Sequence, residues 1–116
     1  MVQDIETLLI GLLSDALQVP VLDTVPSNYK KDHDFVSVER VGGAKVNEVI
    51  DHPMLALQAW APTKLAAAKL AYRADDAMLS FVSNPHISEV SRNSFYSYPD
   101  EYGNARYQIV FNLTTI

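Results

Sequence analysis

The segment from Met54 to Trp60 constrains the fold most strongly, because it alternates as a strand does and yet is apolar on both sides. Its two faces are Leu55, Leu57 and Ala59, and Met54, Ala56, Gln58 and Trp60. A strand with two apolar faces is typical of the interior of a sheet that is covered on each side. We therefore predict that this segment is the central strand, and that Trp60 is buried where the strand ends.

Two segments have the apolar periodicity of helices. The first runs from Asp4, a predicted N-cap, to Leu17, and its apolar stripe is Ile5, Leu8, Leu9, Leu12 and Ala16, widened by Ile10 and Leu13. The second opens at Ala61, with Pro62 expected at the first helical position, and stops at Asn84. Its stripe is Ala67, Leu70, Ala71, Ala74, Met78 and Phe81. The alanines of this stripe have small side chains, so we predict that the helix lies close on the sheet.

Four further segments are predicted as strands from their alternation or their β-branched content. They are Phe35–Val41, Lys45–Ile50, Ile87–Phe95 and Ala105–Thr115. The last alternates most clearly, with Tyr107, Ile109, Phe111 and Leu113 opposite Arg106, Gln108, Asn112 and Thr114. Residues 22–34 read as a loop with one short extended piece.

The order of these elements predicts a single α+β domain over residues 1–116. Its order is α-β-β-β-α-β-β, and successive strands with short connections favour a mixed, largely antiparallel sheet flanked by the two helices. With 116 residues, of which 48% are hydrophobic, the chain has enough apolar side chain for one core.

Composition and charge exclude several classes of function. The chain has no cysteine, which rules out disulfides and thiolate metal sites. Its net charge of −5 argues against nucleic-acid binding, so no sequence-specific recognition is expected. Acidic Asp4 and Glu6 do not fit a signal peptide, and the apolar run from Leu8 to Leu13 is too short to cross a membrane. We expect a soluble protein that is not exported.

A search for reactive groups predicts no catalytic, cofactor-binding or metal-binding residue. The three histidines, His33, His52 and His86, fall in predicted loops without the i, i+4 spacing of a zinc site. We interpret them as solvated turn residues, with a histidine–carboxylate site assembled in space as the alternative. There is no serine elbow and no phosphate-binding glycine loop.

Two acidic pairs and a group of tyrosines remain as candidates for other roles. Asp76 is expected to pair with Arg73 on the second helix, and Asp100-Glu101 lies in a predicted hairpin loop. Tyr96, Tyr98 and Tyr102 surround that loop. Since few basic residues are nearby, loop packing or a protein interface explains these rings better than base stacking.

Several short motifs resemble the tail-terminator, or tail-completion, family of long-tailed bacteriophages. They are Val38-Glu39-Arg40-Val41-Gly42-Gly43, Gln58-Ala59-Trp60-Ala61 before Ala66-Ala67-Ala68-Lys69-Leu70-Ala71, Tyr98-Pro99-Asp100, and Ala105-Arg106-Tyr107-Gln108. The resemblance covers nearly the whole chain, and it implies an α+β virion protein without enzymatic activity or cofactor.

The same resemblance implies partners and a location. Such proteins cap the tail tube as a ring, usually a hexamer, and join it to the head connector; the expected partners are other copies of the chain, the major tail-tube protein and a head-completion or connector protein. The protein would be made in the host cytoplasm and end in the virion. Candidate contact residues are Glu48, Asp51, Tyr98, Asp100, Tyr102, Arg106, Gln108 and Asn112. A head-completion (neck) protein, or a small bacterial ligand- or protein-binding module, is the alternative.

Overall fold

Within residues 4–116, five strands form one sheet in the order β1-β2-β3-β5-β4, and two helices pack on one of its faces. A computed structural model describes residues 4–116. Its elements are α1 (Ile5–Leu17), β1 (Val21–Leu22), β2 (Phe35–Lys45), β3 (Asp51–Trp60), α2 (Lys64–Ser80), β4 (Ile87–Ser97) and β5 (Arg106–Thr115), with a 3-10 turn at Phe81–Ser83. Among the strand pairs of the described residues, only β1–β2 is parallel. The predicted fold class and element order are confirmed.

Strand β3 lies at the centre of the sheet, between β2 and β5, as its two apolar faces predicted. The covering is unequal, however, because both helices lie on the face of Leu55, Leu57 and Ala59. Loops partly cover the opposite face, where Trp60 is buried. The sequence pattern therefore identified the central strand without showing that the helices share one side.

The prediction of a separate strand at Lys45–Ile50 is wrong. Strand β2 continues through Gly42-Gly43 to Lys45, and the next five residues turn the chain back into β3. The side-chain oxygen of Asn47 accepts the N–H groups of Val49 and Ile50 at 2.8 Å and holds the turn. Gly43 has φ of 95°, and a Cβ there would lie 2.0 Å from the carbonyl oxygen of His52. Glycine here lets the two strands approach closely instead of ending β2.

The hydrophobic core lies between the helices and the sheet. Helix α1 buries Ile5, Leu9, Leu13 and Leu17. This stripe has a spacing of four residues, so Leu13 belongs to the core whereas Ala16 of the predicted stripe is exposed. All six residues of the predicted α2 stripe are buried, as expected. The sheet adds Val36, Val38, Leu55, Leu57, Ala59, Ile87, Ile109, Phe111 and Leu113.

Polar contacts fix the ends of the helices. Asp4 caps α1 by accepting the N–H of Thr7 at 3.3 Å, as predicted. Thr63 is the N-cap of α2, so Pro62 precedes the helix instead of opening it. Arg73 donates to the carbonyl oxygen of Leu17 at 2.6 Å, which joins α2 to the last turn of α1. The predicted partner of Arg73, Asp76, is exposed and does not form that pair.

One ion pair lies under the helix layer. Asp75 of α2 is buried, and its carboxylate accepts a hydrogen bond from Arg92 of β4 at 2.9 Å. The second carboxylate oxygen of Asp75 is buried without a hydrogen-bond partner within residues 4–116. Arg92 is therefore the contact that compensates this buried charge.

Neither helix of residues 4–116 combines the length and the hydropathy that a membrane crossing requires.

Candidate functional site

The face of the sheet opposite the helices, here called the open face, carries most of the polar side chains of the strands. Strand alternation places Ser37, Gln58, Gln108 and Tyr96 on this face. Two loops, residues 23–34 and 98–105, rise at the end of the sheet where β3 finishes and β5 begins. The open face is therefore a polar floor with loop walls at one end.

A row of hydrogen bonds, here called the polar ladder, crosses four strands of the open face. The hydroxyl of Ser37 donates to the side-chain oxygen of Gln58 at 3.2 Å, and the Gln58 amide donates to Gln108 at 2.9 Å. The Gln108 amide in turn contacts the hydroxyl of Tyr96. The backbone register pairs these residues directly, Ser37 with Gln58, Gln58 with Gln108, and Gln108 with Tyr96. The row consequently depends on the register of every strand pair it crosses.

Trp60 connects the polar ladder to an aromatic cluster beneath the loop of residues 23–34. Its indole N–H donates to the Ser37 hydroxyl at 3.4 Å, and its ring stacks on Phe35 with centroids 5.3 Å apart. Phe35 also contacts the rings of Tyr29 and His33. This cluster fixes the loop against the sheet, because the aromatic rings bury a large apolar area at a defined geometry.

Arg106 is held between two aromatic rings at the wall of the open face. Its guanidinium carbon lies 4.8 Å from the ring centroid of Trp60 and 4.5 Å from that of Tyr98. Its Nε donates to the carbonyl oxygen of Tyr98 at 2.7 Å. These contacts hold the cation in one place at a solvent-accessible position of the open face.

The loop of residues 98–105 is organised around the carboxylate of Asp100. One oxygen accepts the backbone N–H groups of Tyr102 at 3.0 Å and Asn104 at 2.8 Å, and the other accepts the Asn104 side-chain amide at 2.8 Å. Burial acts to raise the pKa of Asp100, but the hydrogen bonds from Asn104 and Tyr102 outweigh it and hold the pKa below its usual range. The ionised carboxylate thus fixes this loop.

Between the two loops lies a cavity of about 430 Å³, here called the cleft. Its floor includes Ala56, Gln58 and Trp60, and residues 23–27 and 100–102 form its walls. Six charged residues line it, namely Asp23, Lys31, Glu39, Asp100, Glu101 and Arg106. Asp100 is committed to its loop and Arg106 to its rings. The remaining lining charges are three carboxylates and Lys31, whose ammonium lies 5.7 Å from the centroid of the Trp60 ring, so the lining of the cleft has a net negative charge.

The opposite end of the sheet carries residues 41–50, here called the hairpin arm. Arg40 anchors its base with two hydrogen bonds to the Asp51 carboxylate, at 2.6 and 2.9 Å, and a third to the carbonyl of Gly42 at 3.1 Å. These hydrogen bonds from Arg40 hold the pKa of Asp51 below its usual range, against the opposing effect of burial. Val46 and Val49 of the arm are 58% and 64% exposed.

The predicted contact residues fall at the two ends of the sheet and between them. Tyr98, Asp100, Tyr102 and Arg106 surround or line the cleft, and Gln108 belongs to the polar ladder. Glu48 and Asp51 lie in or beside the hairpin arm, at the far end of β3. Asn112 lies between them, where it pairs with Met54 and Ser91. The structure therefore brings five of the eight together and separates the other three from them.

Sequence reasoning missed several residues that complete this surface. Ser37 and Gln58 of the ladder, and Asp23, Lys31 and Glu39 of the cleft, were not among the predicted contacts. The sequence held one signal for these residues, because Gln58 is a polar side chain on an otherwise apolar face of the predicted central strand. The tertiary fold brings the loop residues to the cleft, and their spacing in the sequence does not reveal that they meet there.

The histidines do not converge on one another. His33 contacts the hydroxyl of Tyr29 at 3.0 Å, His86 contacts the carbonyl of Ile116 at 3.4 Å, and His52 contacts Thr114 at 3.1 Å. His52 belongs to β3, so its predicted place in a loop is wrong. Within residues 4–116, no group of three or more histidine or acidic side chains is arranged to hold a metal ion.

Comparisons with known proteins give a relationship of fold. None of the protein-family models matches the sequence, and none of the curated proteins matches it either. Among solved structures, the chain is similar to one from the virion of a native gene transfer agent particle, with a TM-score of 0.56 and 18% sequence identity. The match covers 96% of this chain and 86% of that chain. The protein thus shares its fold, over nearly its full length, with a chain of a gene transfer agent virion.

Proposed function

We propose that this protein is a non-enzymatic structural component of a phage virion, which caps the tail tube as an oligomeric ring and forms part of the joint between tail and head. One observation carries the proposal: the fold matches a chain from a gene transfer agent virion along 96% of its length. A match of this extent spans nearly the whole chain and is not limited to a common supersecondary motif.

The surface chemistry supports an assembly role. The open face concentrates Trp60, Tyr98 and Arg106, which are residue types enriched at protein interfaces. The cleft and the hairpin arm are two different surfaces at opposite ends of the sheet, as a ring of identical subunits requires. The partners in this proposal are other copies of the chain, the major tail-tube protein, and a head-completion or connector protein.

The decisive experiment combines the purified protein with the major tail-tube protein from the same genome. Native mass spectrometry and electron microscopy should show a ring, expected to be a hexamer, seated on one end of each tube. A protein that stays monomeric and never binds the tubes contradicts the proposal. Binding to the head connector without tube binding indicates the neighbouring head-completion role instead.

Matched variants identify the surface that takes part. Tyr102→Ala and Arg106→Ala remove groups from the cleft and its wall, and we expect weaker assembly or tube binding. Asp15→Ala changes an exposed residue of α1, which packs on the other face of the sheet and does not line the cleft, and serves as the control. Equal assembly of all three variants would exclude the cleft from the interface.

A further inference from the structure

We infer that the hairpin arm of one subunit inserts into the cleft of the next, so that each cleft is completed by a neighbouring copy of the same chain. This inference rests on the proposed ring and specifies its contact. It comes from two features at opposite ends of the sheet, a projecting turn with exposed valines and a concave site with apolar groups on both walls.

The hairpin arm is built as a preformed projection. The Arg40–Asp51 pair braces its base, and Asn47 holds its turn through hydrogen bonds to Val49 and Ile50. A segment that is already ordered loses little conformational entropy on binding. Its exposed side chains, including Val46 and Val49, are nevertheless left in solvent. Ordered apolar side chains in water gain free energy when a partner covers them.

The cleft offers the complementary shape and surface. Val25 and Pro26 supply apolar groups on one wall, and Tyr102 stands on the other with 80% of its surface exposed, above a base formed by the buried Trp60 and Ala56. A valine side chain that enters such a concave site is desolvated on several sides, which is how an interface anchor gains most of its energy.

The charges of the two features are also complementary. Lys45 is exposed on the hairpin arm, and the cleft presents the carboxylates of Asp23, Glu39 and Glu101. Glu48, at the turn of the arm, can in turn face Lys31. Complementary charges at a rim steer the encounter and select one orientation of the inserted segment.

The strand register excludes the arm of the same chain as the occupant of the cleft, so an arm that inserts there belongs to a second copy. Asp51, at the base of the hairpin arm, pairs with Thr115, whereas Trp60, at the floor of the cleft, pairs with Arg106. The two features thus lie at opposite ends of β3, in a molecule whose longest dimension is 41 Å. An arm cannot reach the cleft of its own chain. Two different surfaces that join head to tail produce a closed ring when the rotation between subunits closes.

Cysteine cross-linking tests the contact directly, because the chain contains no natural cysteine. Glu48→Cys places a thiol on the arm, and Ser27→Cys places one on the cleft wall. The two variants are co-expressed with each other, and each is also expressed alone; Asp15→Cys, on the exposed side of α1, replaces either partner as the control. After mild oxidation, we expect covalent dimers only from the Glu48→Cys and Ser27→Cys mixture.

A single chain that carries both substitutions sharpens the test. Oxidation should convert it into a series of covalent multimers, and the largest circular species would report the number of subunits in the ring. Dimers of Glu48→Cys with itself would indicate an arm-to-arm contact and overturn the inference.

Substitution of the arm gives an independent readout. Val49→Asp should weaken self-association by about tenfold or more, whereas Val82→Asp, at a similarly exposed valine outside both features, should leave it unchanged. Rings that form normally with Val49→Asp, or that give no cross-link between arm and cleft, overturn this contact while the proposed function stands. A chain that stays monomeric with and without tail tubes overturns both.

Discussion

The two faces of the sheet use the same five strands for different purposes. The helix-covered face is an almost continuous apolar core, with Leu57, Ile109 and Phe111 essentially inaccessible to solvent. The open face instead carries the polar ladder and the cation–π contacts of Arg106. Apolar burial is non-directional, so it stabilises the fold without requiring particular partners. Hydrogen bonds are directional, so the open face depends on the exact register that the core establishes.

The comparison implies an unequal distribution of stability between the two faces. Groups on the helix-covered face lose contact with water completely, and their removal leaves a cavity. Away from the buried Trp60 and Phe35, polar groups of the open face such as Gln58 and Gln108 stay half-buried, and water can replace part of what a substitution removes. We therefore expect substitutions on the helix-covered face to lower the free energy of unfolding strongly. Substitutions on the open face should lower it less, but should affect assembly more.

The largest effect is expected at Phe111 of β5, and its neighbour Val110, which points to the opposite face, provides the comparison. Phe111→Ala should lower the free energy of unfolding by about 3–5 kcal/mol, because it opens a cavity in the core. Val110→Ala, half-buried on the open face, should cost less than about 1 kcal/mol. Denaturant unfolding of both variants measures the difference. Similar losses would show that the two faces contribute equally.

The second prediction concerns the charged group under the helix layer. Arg92→Ala leaves the Asp75 carboxylate buried without its partner, and we expect a loss of roughly 1–3 kcal/mol in unfolding free energy. The double variant Asp75→Leu with Arg92→Leu should recover part of this loss, because it removes both charges from the site. A single variant as stable as the natural protein would mean that the pair does not compensate Asp75.

The third prediction isolates the polar ladder. Gln58→Ala and Gln108→Ala should each cost about 1 kcal/mol in unfolding free energy, since each removes hydrogen bonds between neighbouring strands. The double variant should cost less than the sum by about 0.5 kcal/mol or more, because the two side chains bond to each other. Strict additivity in thermal or denaturant unfolding would show that the ladder is not a connected unit.

The smallest effect is expected at the base of the hairpin arm, and it depends on pH. The pKa of Asp51 is lowered in the folded protein, so the unfolded chain binds the proton more tightly. The stabilisation by the Arg40–Asp51 pair is therefore complete above the unfolded pKa, about 3.9, and is lost as the pH falls through the folded value. Asp51→Asn should cost about 1 kcal/mol or less near neutral pH.

A pH series of unfolding measurements checks this sign. The stability difference between the natural protein and Asp51→Asn should shrink as the solution is acidified below about pH 4. A difference that is constant, or that grows in acid, would contradict the assignment of Asp51 as an ionised partner of Arg40. Comparing two proteins at each pH removes the contribution of Asp100, whose pKa is also lowered.

Local pattern was sufficient for most of the fold. The alternation of β5, the apolar faces of β3 and the alanine-rich stripe of α2 each follow from which side chains must leave water. The pattern failed where a contact distant in sequence decided the outcome. Gly42-Gly43 reads as a strand terminator, yet the approach of His52 makes glycine necessary within a continuous hairpin. Arg73 reads as a partner of Asp76, yet the carbonyl of Leu17 binds it.

The candidate contact residues also divide into those that local sequence predicts and those that only contacts distant in sequence bring together. Tyr98, Asp100, Tyr102 and Arg106 were predicted because they are close in sequence around one loop, and the structure places them around one cleft. The facing wall, with Asp23 and Lys31, comes from a segment more than sixty positions earlier in the chain. No local signal connects the two walls, since the meeting of these loops depends on the strand order β2-β3-β5.

The amino-acid sequence by itself determined the kinds of elements, their order and the buried faces, because these depend on the solubility of side chains and on periods of two or 3.6 residues. Only the tertiary structure decided that both helices cover one face, that four polar residues align across the other, and that arm and cleft lie at opposite ends. These outcomes depend on the strand order and register, which are set by contacts between residues far apart in the chain.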